Sequence, residues 1–232
     1  MKCLWISLLL VLGGLNVACS DTSEEAVSIF AASSLIEVLP DLLSSYEEES
    51  GVDITIVYGG SNHLGAQIKD GAPIDLYLTA DIELLDPRIE RVDELIFASN
   101  YITLAVPVGS EKNISSITDL TRVGLDIAVC AKEVPCGKAA EELGVVIAAD
   151  TYEPSVRSVI SRLTLGEVDL GVVYATDTIS EPRITSVWPE NPMCPCVDYH
   201  GVSFTSRGSE IAVHLVNEES REILTQYGFL SP

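Results

Sequence analysis

Three short segments join an apolar run to a helix signal through small or hydroxyl-bearing residues: Ala31-Ala32-Ser33-Ser34, Gly59-Gly60-Ser61-Asn62 and Val134-Pro135-Cys136-Gly137. The first N–H groups of a helix have no partner within the helix, and the helix dipole is positive there, so such turns offer donors to an anion. A Ser hydroxyl adds a neutral donor at the same place. Ser before a helix is also an ordinary cap, so one such turn alone decides nothing. In a parallel sheet, however, these turns lie together at the carboxyl ends of the strands, and their donors converge on one small anion. Acid–base catalysis finds less support, because Asp75 and Asp81 flank an apolar run with no identifiable partner. His63, beside Ser61, reads as a cleft-rim or solvent-facing helix residue, and Lys138 and Arg157 as charges that draw anions to the mouth or are simply solvated.

Cysteine is the other reactive residue. Apart from Cys3 and Cys19, the chain has Cys130, Cys136, Cys194 and Cys196, which in an exported protein allow three pairings. Cys130 and Cys136 flank a tight five-residue segment, so a local bridge is expected between them. Cys194-Pro195-Cys196 would be strained as a bridge across one residue; self-pairing, crosswise pairing and reduced thiols all stay open. With His200 nearby a metal cluster comes to mind, but the spacing fits no standard zinc pattern. A thiol redox site on Cys194 and Cys196 would need a helix start to depress a thiol pKa, and no helix signal follows Pro195.

The elements that must position these groups alternate between strand and helix. Residues 27–31 form an apolar strand. Leu35, Val38, Leu39, Leu42, Leu43 and Tyr46 then fall on one helical face, with a kink or restart expected at Pro40. Residues 53–58 and 75–79 are two further strands, with a short helix carrying Leu64 and Ile68 between them. That order implies a parallel sheet with crossover helices. Beyond it, strands are expected at 101–106, 126–130, 169–174 and 202–205. Helices are expected near 116–120, from Gly137 toward Leu143, at Val156, Val159, Ile160 and Leu163, and at 209–216 and 218–227. The fold class is α/β.

With 35 acidic against 13 basic residues, the chain carries a formal charge of −22. Phosphate backbones and anionic membranes are held by Lys and Arg, so nucleic-acid and basic membrane-surface functions are excluded. At 47% hydrophobic and 21% charged the chain has enough apolar material for a folded core. Met1 and Lys2, the apolar run from Leu4 to Leu12 and Ala18-Cys19 describe a secretory signal over residues 1–18. Its apolar run is too short to span a bilayer. Leu15 and Ala18-Cys19 resemble a lipoprotein cleavage site with Cys19 as lipid attachment, although Asn16 departs from the pattern. Residues 19–26 would then be a tether. Asn113-Ile-Ser115 matches a glycosylation triplet, which carries no weight behind a bacterial-type leader.

In order along the chain stand Phe30-Ala-Ala-Ser-Ser-Leu35, Tyr58-Gly-Gly-Ser-Asn62, Gln67-Ile-Lys-Asp-Gly-Ala-Pro-Ile-Asp-Leu-Tyr-Leu-Thr-Ala-Asp81, Val134-Pro-Cys-Gly137, Gly171-Val-Val-Tyr-Ala-Thr-Asp177 and Tyr227-Gly-Phe-Leu-Ser-Pro232. Together they resemble the molybdate-binding proteins of ABC transporters. Residues 84–100 and 188–200 match that pattern poorly. The resemblance implies a type II periplasmic-binding-protein fold, two α/β lobes around a ligand cleft, with residues 27–104 plus 199–232 in one lobe and 105–198 in the other. It implies the hydroxyls of Ser34 and Ser61, the backbone N–H groups of Cys136 and Val156, and the Tyr174 phenol as the oxyanion site. Cys136 stands where the family has Ala. The ligand implied is molybdate or tungstate, with sulfate the alternative; no cofactor, no direct cation ligand and no catalysis are implied. The expected partner is a membrane permease, and the protein is expected to be an exported monomer.

Overall fold

The computed structural model describes residues 26–188 and 196–231. The leader and Cys19 lie outside them, as do Cys194 and the side chain of Cys196. Strand β1 (Val27–Ala32) is apolar and buried along nearly its whole length, as a strand covered on both faces must be. A 3-10 turn, Ser33–Leu35, follows, and the chain restarts as helix α1 (Leu39–Ser50). Pro40 sits in the first turn of α1, where its missing N–H costs nothing. Leu39, Leu42 and Leu43 bury one face of α1 against the sheet, each contributing about 1.5–3 kcal/mol. Gly51, at φ 69°, ends the helix in the left-handed region.

Next come β2 (Ile54–Gly59), α2 (Ser61–Lys69) and β3 (Leu76–Thr79). β1 pairs in parallel with both β2 and β3. β4 (Asp93–Pro107) is the longest strand, followed by β5 (Ile127–Cys130), α3 (Pro135–Glu141), β6 (Thr151–Glu153), α4 (Val156–Leu165) and β7 (Leu170–Tyr174). The chain closes with α5 (Ala175–Ser180), β8 (Ile184–Trp188), β9 (Cys196–Ser203), α6 (Ser206–His214) and α7 (Glu218–Gln226).

The strand order is β2-β1-β3-β9-β4-β7-β5-β6, with β8 also on β4. β4 ties the two halves together. Its residues 93–101 pair antiparallel with β9, and its residues 102–107 with β7 and β8. Leu230 exchanges backbone hydrogen bonds with Ser99, which pins the C-terminal tail to the same strand. One apolar cluster runs through both halves, and a smaller one, including Phe30, Leu64 and Tyr77, lies under α2. Gly171 shows how closely α4 packs on β7: an added Cβ would sit 2.8 Å from Leu163 Cδ1 and from Val159 Cγ1.

β4 begins eight residues before the expected position, at Asp93 rather than Tyr101. Asp93 and Glu94 at its start are exposed, while Leu95-Ile96-Phe97-Ala98 supply an apolar run that the expected strand leaves out. β9 likewise lies earlier than the expected 202–205. β6, β8 and α5 carried no sequence signal: β6 and α5 are very short, and Thr185 and Ser186 of β8 face solvent.

Candidate functional site

Ser34, Ser61, Cys136, Val156 and Tyr174 line a single cavity between the two halves. Its volume is about 20 Å³, room for one or two water-sized spheres. Organic ligands usually occupy roughly 300–1,000 Å³, so the space suits a small inorganic ion. None of the described residues lining it is Lys, Arg, Asp or Glu.

Each lining group is held by a local device. Ser34 lies in the 3-10 turn after β1, its Oγ 2.8 Å from the Tyr199 hydroxyl. Ser61 opens α2, and its carbonyl accepts a 2.7 Å hydrogen bond from the buried Tyr77 phenol, which anchors that helix start. The Ser61 Oγ accepts from the Ala80 N–H at 3.5 Å, leaving its own proton to be donated elsewhere. In α3, Pro135 has no N–H, so Cys136 carries the first backbone donor, and Gly137 and Lys138 already donate to the Val134 carbonyl. Cys136 is bonded to Cys130, with 5.7 Å between their Cα atoms. Gly137 belongs there because an added Cβ would lie 2.0 Å from the Ala131 carbonyl oxygen. Val156 begins α4; Ser155 caps the helix by accepting from the Ser158 N–H, and the N–H groups of Val156 and Arg157 have no intrahelical partner.

Tyr174, at the end of β7, is 2% exposed, yet its hydroxyl has no hydrogen-bond partner among the described residues. An orphaned buried hydroxyl costs about 1–3 kcal/mol, so its presence calls for a functional reason. Its N–H donates to Asp177 Oδ2 at 2.8 Å. Burial pushes the Asp177 carboxyl up to about 7, against the Tyr174 N–H and the charge of Arg157, which favour the ionised form. Burial also holds the Tyr174 phenol well above its ordinary value, so it remains a donor.

Lys138 and Arg157 are neither free nor aimed at the cavity. Lys138 pairs with Asp81, at 3.1 Å, and with Glu83, while Arg157 reaches Glu37 at 2.8 Å. Both pairs link the β7-containing half to the β1-containing half across the mouth. His63 is exposed, and Asp75 accepts from the Ser28 N–H and the Thr205 hydroxyl, both structural roles. His200 lies 3.3 Å from Glu94. No cluster of three or more potential metal ligands exists among the described residues. Sequence reasoning missed Tyr77, Asn100 and Tyr199, whose contacts join separate elements of the chain, and Asp177, which accepts from the Tyr174 N–H three residues away.

The family model for bacterial extracellular solute-binding proteins matches residues 27–230. The chain belongs to that family. The molybdate-binding protein ModA of Mycobacterium tuberculosis is 30% identical over 225 residues, covering 89% of this chain and 85% of that one. ModA of Escherichia coli is 28% identical over 231 residues, covering 89% of each. The periplasmic molybdate-binding protein of Azotobacter vinelandii superposes with a TM-score of 0.75 at 18% identity, covering 89% of this chain and 99% of that one. This solute-binding protein therefore has the type II periplasmic-binding fold, with two α/β lobes and the cavity in the cleft between them. Among the described residues no helix is long and apolar enough to cross a membrane.

Proposed function

We propose that this chain is the extracytoplasmic receptor of an ABC importer for molybdate, a carrier that closes around one oxyanion and presents it to a membrane permease. The observation that carries this reading is the buried hydroxyl of Tyr174, without a partner among the described residues, on a cavity sized for a single small ion. Its relatives' molybdate binding supports the choice of anion. Ser34 and Ser61 donate hydroxyl protons, Cys136 and Val156 donate N–H groups, and Tyr174 donates its phenol proton. A buried dianion needs each oxygen met by a donor already in place, and helix starts add partial positive charge without a full cation.

Tungstate, with the same tetrahedral geometry and charge, fits the same donors. Sulfate has shorter bonds, so the same donors stand farther from its oxygens. In this reading the lobe boundaries fall where β4 changes partners, between Tyr101 and Ile102, and at the start of β9. The bond between Cys130 and Cys136 holds the Cys136 N–H in place. Lipidation at Cys19 would keep the monomeric receptor at the membrane.

Calorimetric titration with molybdate, tungstate, sulfate and phosphate tests the proposal. Submicromolar molybdate binding is expected, weakened at least about tenfold by Ser61→Ala or Tyr174→Phe. Tight sulfate binding with no molybdate response would overturn the substrate, and unchanged affinity in both variants would overturn the site.

A further inference from the structure

Behind the cavity a row of polar groups crosses the junction of the two lobes. Asn100 of β4 is fully buried; its Oδ1 accepts from the Tyr101 N–H at 2.9 Å, which fixes the amide orientation. Its Nδ2 donates to the Thr176 hydroxyl of α5 at 2.9 Å and also faces the Tyr199 oxygen. Tyr199 of β9, fully buried, places its hydroxyl 2.8 Å from Ser34 Oγ. The Tyr199 ring is fixed edge-on by Phe97, Tyr174 and Phe229, with centroids 6.1, 6.3 and 5.5 Å away.

Donor counting sets the direction of this chain. The acceptor among the described residues within reach of the Tyr199 proton is Ser34 Oγ, at 2.8 Å. Were Ser34 to donate to Tyr199 instead, the phenol proton would have no acceptor, and Ser34 would turn only lone pairs toward the cavity. Burial holds the Tyr199 phenol far above its ordinary value, so the proton is present throughout the physiological range.

We infer that Tyr199 is a positioning residue that keeps the Ser34 proton free for donation into the cavity and thereby favours fully deprotonated oxyanions. This rests on the reading of the cavity as an oxyanion site. With one Ser34 lone pair holding the Tyr199 proton, the Ser34 proton is not spent on Tyr199 and is available for donation into the cavity. An anion that keeps a proton, such as monohydrogen phosphate, presents an O–H to the Ser34 proton where a fully deprotonated oxygen would accept it. Without the Tyr199 hydroxyl, nothing orients the Ser34 proton, and both Ser34 lone pairs are free to turn toward that O–H.

The test is a double-mutant cycle with Tyr199→Phe, Ser34→Ala and the pair, titrated calorimetrically with molybdate and with inorganic phosphate at pH 7.5. Phe keeps the ring contacts, and a melting scan checks that the variant is folded. Tyr199→Phe is expected to weaken molybdate about five- to twentyfold. It is also expected to narrow the molybdate-over-phosphate preference by at least about fivefold. In the Ser34→Ala background the same change should cost less than about twofold, since its target is gone. Equal losses in both backgrounds, or an unchanged anion preference, would assign Tyr199 a merely structural role and overturn the inference. If Ser34→Ala, Ser61→Ala and Tyr174→Phe all bind molybdate like the wild type, the site reading itself fails instead.

Discussion

Replacing Cys130 and Cys136 together by Ala probes how a lining group is held in place. The cross-link closes a loop between residues six apart in sequence. The loop-closure relation for that length gives about 2 kcal/mol of stabilisation at 25 °C through the unfolded chain. For a protein of this size each kcal/mol is worth about 2–4 °C in Tm, so a fall of roughly 4–8 °C is expected. The turn keeps other supports: the Ala131 N–H donates to the Glu153 carbonyl at 2.8 Å, the Val134 N–H to the Ala131 carbonyl at 3.0 Å, and Gly137 fits closely over Ala131. The Cys136 N–H is then loosened rather than lost. Molybdate affinity should fall by about three- to tenfold, less than the full value of a hydrogen bond to a charged group. Differential scanning calorimetry of ligand-free protein and titration calorimetry with molybdate measure the two effects, and wild type treated with reductant should behave like the variant. An unchanged Tm together with unchanged affinity, or free thiols at both positions in the unreduced folded protein, would refute the reasoning.

Gly60→Ala tests closure itself. The backbone at Gly60, φ −64°, suits Ala, but the new Cβ would lie 2.7 Å from the Pro154 carbonyl oxygen across the cleft. Stability should therefore stay within about 1 kcal/mol while affinity falls more than about tenfold; a normal affinity would show that the lobes close differently. Lys138→Ala removes the pairs to Asp81 and Glu83, and Arg157→Ala the pair to Glu37, all across the mouth with partly exposed cations. Such pairs contribute about 0.2–1 kcal/mol, so stopped-flow ligand release should accelerate about 1.5- to 5-fold and lose its salt dependence, and an unchanged rate would remove their closing role. Asp177 supplies a pH signature. Its carboxyl titrates near 7 when folded against an ordinary 3.8. Between those values the native state holds a proton that the unfolded state has released, so this group's contribution to stability falls as pH rises from about 4 to 7 and is level above. Asp177→Asn should gain on the wild type across that window in denaturant titrations, whereas parallel stability curves would contradict the burial argument.

How much of this was legible depended on how local the cause was. The strand at residues 27–32 and the α4 face Val156, Val159, Ile160 and Leu163 announce themselves through apolar periodicity within a few residues. Pro40 predicted a kink or restart, and the structure has a restart because the ring fits the first turn. By contrast, residues 93–100 do not stand out as a strand although Leu95-Ile-Phe-Ala98 is apolar, because the run is short and its partner, β9, is about a hundred residues away. Lys138 and Arg157 looked like solvated or anion-gathering charges, and only the approach of the other lobe revealed Asp81, Glu83 and Glu37 as their partners.

Sequence alone determined which turns carry donors, since a hydroxyl, a Gly or a Pro at a helix start constrains its own few residues by covalent geometry and local hydrogen bonding. Tertiary structure decided that those turns face one cavity of about 20 Å³, that the Tyr174 hydroxyl has no partner among the described residues, and that Tyr199 stands behind Ser34. Those facts depend on distances between segments joined only through the sheet. They follow from where β4 and β9 cross from one lobe to the other, and the types of the residues involved do not encode that crossing.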